Sequence, residues 1–265
     1  MRFEDRTLGR TGATVGPLGI AASYGVPAAA VERAVDAGMT YVYWGSRRTA
    51  AFAEALHHLA PRRDRFMLVI QSYARLGFSL TRSVERALSA IGYSHADVLL
   101  LGYWNSPVPP RILDAARTLQ RRGLVNFLAV SSHQRINAAS MAGSGTYDLV
   151  HIRYTAAHPG GERDFFPGLP SDNRPGIVSF TATSWGQLLN PRYTPDGERT
   201  PTASDCYRFV LSHPDVNVCV TGPASADHVE AALRARELGP MSPEELDWMR
   251  RVGAELNRRR TWLKR

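Results

Sequence analysis

The sequence predicts a single (β/α)8 barrel, and three features predict it: eight short apolar runs, a burst of polar or aromatic residues after each run, and helix-like stretches between most of them. Parallel strands buried on both faces read as near-continuous apolar runs, and closing them into a ring brings all their carboxyl ends to one mouth. At 265 residues the chain is close to the usual length of one such barrel, so residues 1–265 are read as one domain with one core. Any active site belongs at the mouth.

In chain order, Thr7–Val15 alternates around Gly9 and Gly12 and predicts a small β-hairpin that plugs the barrel bottom. The first three runs are Leu18–Ile20 before Ser23 and Tyr24, Tyr41–Tyr43 before Trp44–Arg48, and Met67–Ile70 before Gln71–Tyr73. Val98–Leu101 then leads into Gly102–Asn105, Phe127–Val130 into Ser131–His133, and Leu149–Ile152 into Arg153 and Tyr154. Ile177–Phe180 before Thr181–Trp185 and Val216–Val220 before Thr221–Pro223 complete the set. Helical spacing recurs between them, through Val31, Ala34 and Val35, through Val84, Leu88 and Ile91, and through Ile112, Ala116 and Leu119. These stretches stop at Gly38, Gly92 and Gly123, as C-terminal caps favour. Ser225 is placed as the N-cap of a helix over Ala226–Leu238, and Ser242-Pro-Glu-Glu245 opens a final helix through Leu246, Met249 and Val252. Two Gly- and Pro-rich excursions, Thr155–Pro175 and Asn190–Pro201, are long enough to overhang the mouth.

Composition narrows the classes. The start is polar and no apolar run reaches membrane-spanning length, which reads as a cytoplasmic protein without a leader or a span. The net charge of +8 suits an anionic partner, but the arginines are scattered along helices rather than gathered with aromatics, which argues against nucleic acid. Two cysteines, one inside the eighth run, support neither a disulfide framework nor a metal cluster. Adjacent His57 and His58 on a helix cannot face one ion, so no metal is expected. The only lysine is Lys264, so none can sit in the mouth.

Thr7-Leu-Gly-Arg-Thr-Gly12, Gly16-Pro-Leu-Gly19, Val35-Asp-Ala-Gly38, Ser83-Val-Glu-Arg-Ala-Leu88, Ala96-Asp-Val-Leu-Leu-Leu101 and Arg122-Gly-Leu-Val125 together resemble the aldo-keto reductase superfamily, in register over nearly the whole chain. The resemblance implies a nicotinamide cofactor, NADP, and a tetrad of Asp, Tyr, Lys and His around its ring. In this sequence the Asp falls on Tyr43, the Tyr falls within Arg47–Thr49 where there is none, the Lys falls on Ser72 and the His on Gly102. The cofactor segments fare better: the carboxamide-holding positions fall on Ser131, Ser132 and His151, and the aromatic under the nicotinamide falls on Phe180. The pyrophosphate loop resembles Ala182–Leu188, with Ser184, Trp185, Gly186 and Gln187 inside it, and Gly222 and Ser225 stand where a helix start meets a phosphate. That phosphate site could equally serve another anion, and the basic residue expected for an adenosine phosphate is absent from Pro223–Ser225.

The remaining chemistry rests on Tyr43, Arg47 and Arg153. Tyr43 is either a proton donor whose pKa a nearby Arg47 or Arg48 lowers, or a filler of the space left by the missing polar groups. Arg153, two residues after His151, either shares its inward orientation and clamps a carboxylate or phosphate, or pairs with Glu162 or Asp164. His133 and His151 are either acid/base groups or structural. Trp44, Tyr73, Tyr103, Trp104 and Trp185 either wall a pocket for a flat or apolar small molecule or pack between helices. Three functions therefore stand: an aldo-keto-reductase-like oxidoreductase with a rebuilt, divergent active site and an anionic or aromatic substrate; a lyase, isomerase or hydrolase using the same mouth; or a non-catalytic ligand-binding barrel.

Overall fold

In the computed structural model, which describes residues 2–45 and 47–262, eight parallel strands close into a ring. Met1, Ser46 and residues 263–265, with Lys264 among them, lie outside the described residues. A two-stranded antiparallel hairpin comes first, β1 (Arg6–Thr7) and β2 (Thr14–Val15). The ring follows as β3 (Leu18–Ala21), β4 (Tyr41–Trp44), β5 (Met67–Ser72), β6 (Ala96–Leu101), β7 (Val125–Ser132), β8 (Leu149–Ile152), β9 (Gly176–Phe180) and β10 (Val218–Thr221). Each pairs with the next, and β10 pairs back onto β3 through Val220↔Gly19. Every predicted run lies on its own strand.

Alternation along each strand sorts side chains into an inner and an outer core. Ala21, Tyr41, Met67, Val69, Val98, Leu100, Ala129, Leu149, Val178, Val218 and Val220 form the inner one. Their neighbours Ile20, Val42, Trp44, Leu68, Ile70, Leu99, Leu101, Val130, Val150, Ile152, Ile177 and Cys219 pack outward against the helices. Those helices include α1 (Ala28–Asp36), α2 (Ala50–Leu59), α3 (Gly77–Ile91), α4 (Pro110–Arg121), α5 (Arg135–Gly143), α6 (Gly161–Asp164), α7 (Ala203–Leu211), α8 (Ala226–Leu238) and α9 (Pro243–Trp262). The α9 cap is reciprocal: Glu245 N–H donates to Ser242 Oγ at 3.2 Å, and Ser242 N–H donates to Glu245 Oε2 at 2.9 Å.

The hairpin closes the bottom. Leu8 is fully buried and joins Val15 in the inner core. Asn217 Nδ2 donates to Thr7 O at 2.9 Å and Arg6 Nη2 donates to Leu211 O at 3.0 Å, tying the hairpin to the amino end of β10 and to α7. Gly9 has φ +51° and bridges to Pro175, where any Cβ would overlap the Pro175–Gly176 backbone.

The two excursions do not overhang the mouth as expected. Residues 155–175 bury Phe165 and Phe166, and Phe166 stacks on His213 at 3.7 Å and meets Tyr154 edge-on at 5.1 Å. Residues 190–201 fold back through a 3-10 turn at Pro191–Tyr193. The first buries Phe165 and Phe166 outside the ring, the second packs a half-buried Tyr193 against the outer core, and neither contributes to the walls of the mouth cavity. Among the described residues no helix is long and apolar enough to cross a membrane.

Because Leu8 fills the barrel bottom, Leu8→Ala is expected to lower stability by about 2–5 kcal/mol in urea unfolding. Leu238→Ala, at a position 45% exposed, is expected to change it by no more than about 0.5 kcal/mol. Equal losses would contradict the plug.

Candidate functional site

The carboxyl ends of the strands surround a cavity of about 790 Å³. Its floor is set by alternation, since the last inward residue of each strand looks into it: Ala21, Tyr43, Gln71, Leu100, Ser131, His151, Phe180 and Val220. Arg47, Tyr73, Tyr103, His133 and Trp185 form its rim. Tyr24, Tyr207, Gly222 and His228 also line it, Gly222 and His228 from the segment that follows β10.

Two buried polar pairs occupy the floor. The Tyr41 hydroxyl, fully buried, lies 2.8 Å from His151 Nε2. A buried phenol O–H needs an acceptor, and where Tyr41 donates to Nε2 the ring hydrogen of His151 sits on Nδ1. Nδ1–H is then the donor His151 has for a ligand. Burial pushes the His151 imidazole down to about 3 and the Tyr41 phenol well up, so both stay neutral. Beside them the Tyr43 hydroxyl donates to Gln71 Oε1 at 2.5 Å, and the Tyr43 and His151 rings lie 6.4 Å apart.

Tyr43 departs from expectation in one respect. An adjacent arginine was expected to lower its pKa, yet the phenol is raised, because burial outweighs the opposing charge of Arg48. Arg48 is committed elsewhere: its guanidinium donates to Gly45 O and Gln71 O, both at 2.9 Å, and stands over Trp44. Arg47 is exposed at the rim.

Of the other sequence candidates, Ser131, His151, Phe180, Trp185, Gly186 and Gly222 line the cavity. Ser132 is one residue past Ser131 and therefore faces outward, with its Oγ 3.3 Å from Asn105 Oδ1. Ser184 is buried against Thr155, Oγ to Oγ1 3.3 Å, and Gln187 Oε1 is buried without a donor among the described residues. Ser225 caps α8 by accepting from His228 N–H at 3.3 Å and does not line the cavity. Arg153 misses the inward column because β8 ends at Ile152, and its guanidinium stands over the Trp185 ring at 5.7 Å. Trp44 is buried in the outer core and Trp104 lies under Arg75 at 4.0 Å, so among the five flagged aromatics Tyr73, Tyr103 and Trp185 wall the cavity.

Gln71, Tyr41, Tyr24, Tyr207 and His228 escaped the sequence reading. Counting in twos from Met67 places Gln71 inward and Ser72 outward, and counting in twos back from Tyr43 places Tyr41 below it, so alternation held both signals. Gly102 would have faced inward but lacks a side chain, and the Tyr73 ring occupies the space a Cβ there would need. His133 meets Tyr103 edge-on at 4.7 Å and Phe180 at 5.9 Å, and burial followed by the charge of Arg153 lowers its pKa.

The loop after β9 is strained. Thr181, Ser184, Trp185 and Gly186 have φ of +64°, +50°, +56° and +79°. For residues with a Cβ the left-handed region costs about 1–2 kcal/mol each, and such strain concentrates where a ligand is held. Thr183 and Trp185 line the cavity, and their backbone N–H groups have no acceptor among the described residues.

A neutral His151 destabilises the fold in acid. Above about pH 6.5 neither folded nor unfolded imidazole is charged, whereas from there down to about 3 the unfolded chain alone takes up the proton. Stability is expected to fall over that window by up to about 1.4 kcal/mol per pH unit, and His151→Gln should remove that contribution from the pH profile of Tm. Identical profiles for the two proteins would contradict the assignment.

No family model matches the chain, and no curated protein matches it in sequence. Solved structures match it in fold. The holo form of an aldo-keto reductase from Bacillus halodurans superposes with TM-score 0.75 at 18% identity, covering 94% of this chain and 96% of that one. An aldo-keto reductase from Klebsiella pneumoniae in complex with NADPH gives 0.74 at 20% identity, covering 94% and 95%. A Klebsiella pneumoniae aldo/keto reductase with NADP and acetate gives 0.73 at 19%, covering 92% and 93%. What the chain shares with these proteins is the fold, the (β/α)8 barrel of the aldo-keto reductases.

Proposed function

We propose that this chain is a divergent member of the aldo-keto reductase superfamily, an oxidoreductase that binds NADP(H) across the barrel mouth with a rebuilt set of residues where the usual tetrad would stand. The observation that carries the reading is the strained loop after β9, in which Thr183 and Trp185 line the cavity and their N–H groups have no partner among the described residues. Unpaired backbone donors beside a cavity suit an anionic group, as in other phosphate-binding loops. Two of the fold neighbours were crystallised with NADP or NADPH, which supports the same direction.

The residues present fit such a ligand. Phe180 offers an aromatic face, and Ser131 and the Nδ1–H of His151 stand at the floor to hold a carboxamide. Trp185, Gly186 and the Thr183 N–H would hold the pyrophosphate, with Ser184 and Gln187 shaping the loop behind them. A Cβ at Gly222 would strike the Tyr24 ring, so Tyr24 and that glycine define a narrow wall on the β10 side. At the start of α8, Ala224 N–H donates to His228 Nδ1 at 3.2 Å, leaving His228 Nε2 as a donor to an adenosine phosphate, with Ser225 fixing the turn. When bound, the nicotinamide supplies a hydride. The Tyr43 hydroxyl and Arg47 then serve the substrate, Tyr43 as the proton-bearing group once it leaves Gln71 and Arg47 as a charge at the rim.

One observation favours a second reading. Both inward tyrosines already have partners, Tyr41 on His151 and Tyr43 on Gln71, so the same mouth fits a ligand-binding barrel without turnover. The two separate on a single preparation: NADPH that binds and is oxidised with small carbonyl compounds supports the first, and NADPH that binds unchanged over hours supports the second.

Titrating NADPH is expected to change tryptophan fluorescence saturably, and Phe180→Ala is expected to weaken binding by about tenfold through loss of the ring stack. Failure of the wild-type protein to bind NADPH at millimolar concentration would sink the proposal.

A further inference from the structure

The acids expected to neutralise Arg153 are engaged with other groups. Glu162 accepts from the Tyr154 hydroxyl at 2.7 Å and pairs with Arg250 at 3.4 Å. Asp164 accepts from Arg135 Nε at 2.9 Å and from Arg163 Nε at 2.6 Å. Among the described residues Arg153 has no carboxylate partner, and its guanidinium stands over the Trp185 ring at 5.7 Å.

A second unpaired arginine faces the same segment. On α9, Asn257 Nδ2 donates to Ala157 O at 2.8 Å, and any Cβ at Gly253 would strike the Ala156 carbonyl. Arg260 follows these two on the same helix face, one turn beyond Asn257, and among the described residues it too has no carboxylate partner. At the start of α5, the Arg135 guanidinium packs on Gly160, 2.7 Å from where a Cβ would be. Arg260 and Arg135 both act on Arg153. After burial, Arg260 and Arg135 are what lower Arg153, and burial with all three arginines pushes His158 down to about 4.

Like charges held together at half-burial repel unless an anion joins them, and planar guanidinium forks match the oxygens of a phosphate. We infer that Arg153 and Arg260, flanked by Arg135 and the Trp185 ring, form a second binding site, for the phosphate group of a phosphate ester whose organic end lies in the barrel cavity. Trp185 joins the two, because its ring lies under Arg153 and also lines the cavity. The site shares Trp185 and the cavity with the path proposed for the dinucleotide, and its arginines lie to one side of that path. Arg153 follows β8, whereas that path runs from the end of β9 toward β10 and α8, on the other side of β9 in the ring.

Calorimetry on the full chain with phenyl phosphate and with inorganic phosphate tests this. Saturable binding of phenyl phosphate is expected, several-fold tighter than inorganic phosphate. Arg153→Gln and Arg260→Gln are each expected to weaken it about tenfold or more, as loss of a charged hydrogen bond does. Arg82→Gln, at an exposed position on α3, should leave it unchanged. Equal binding by wild type and both site variants overturns the site, and phenyl phosphate binding no tighter than inorganic phosphate overturns the ester. Because the Arg260 variant lies near the end of α9, it keeps the test open if Arg153→Gln fails to fold. The dinucleotide reading fails separately: a wild-type protein that ignores NADPH but binds phenyl phosphate through Arg153 removes that reading and leaves this one standing.

Discussion

Two-residue alternation around a closed ring is the constraint on which everything else depends. Once β10 pairs with β3, every inward side chain shares one column with those of seven other strands, and every outward one meets a helix. The lower layers are filled by apolar groups and sealed by Leu8 and Val15. Polarity is therefore confined to the top, where Tyr43, Gln71, Ser131 and His151 end their strands. A shift of one residue in any strand would exchange a floor group for an outer-core one, as the opposite fates of Ser131 and Ser132 illustrate.

The floor is polar without being charged. Burial opposes ionisation of Tyr41, Tyr43 and His151 alike, and each finds a neutral partner instead. Charge is kept to the edge, where Arg47 stands at the rim, Arg48 holds the β4 loop to Gln71, and Arg153 lies behind Trp185. This separation suits a flat neutral ring at the floor with anionic groups reaching outward, and it explains why a guanidinium near Tyr43 does not make the phenol acidic.

The barrel was legible because its signal is repetitive: eight runs, glycines ending helices, and the caps at Ser225 and Ser242 each report local physics. Cavity-lining residues were legible where they belong to the strand pattern, as with Tyr43, Ser131, His151 and Phe180. Gln71 belongs to the same pattern, one residue before Ser72, the position on which the family resemblance puts its lysine. Arg153 was misplaced for a different reason. Its orientation depends on where β8 stops, and alternation within a run does not mark the run's end: β8 stops at Ile152 and Arg153 turns over the Trp185 ring. His228 and Tyr24 meet at the cavity only through ring closure, which no local stretch encodes. The excursions misled because loop length suggests a lid, whereas Phe165 and Phe166 bury themselves outside the ring.

The strained loop and the paired floor groups bear on one claim, that the mouth holds an extended ligand with a ring at Phe180 and phosphate at the N–H groups of Thr183 and Trp185. The most direct measurement is a crystal structure of the protein grown with NADPH. The account predicts density running from Phe180 along residues 181–187 to the start of α8, with His151 Nδ1 within hydrogen-bond distance of the carboxamide. A well-ordered mouth in that crystal with NADPH bound elsewhere, or with no density across Phe180, would contradict it.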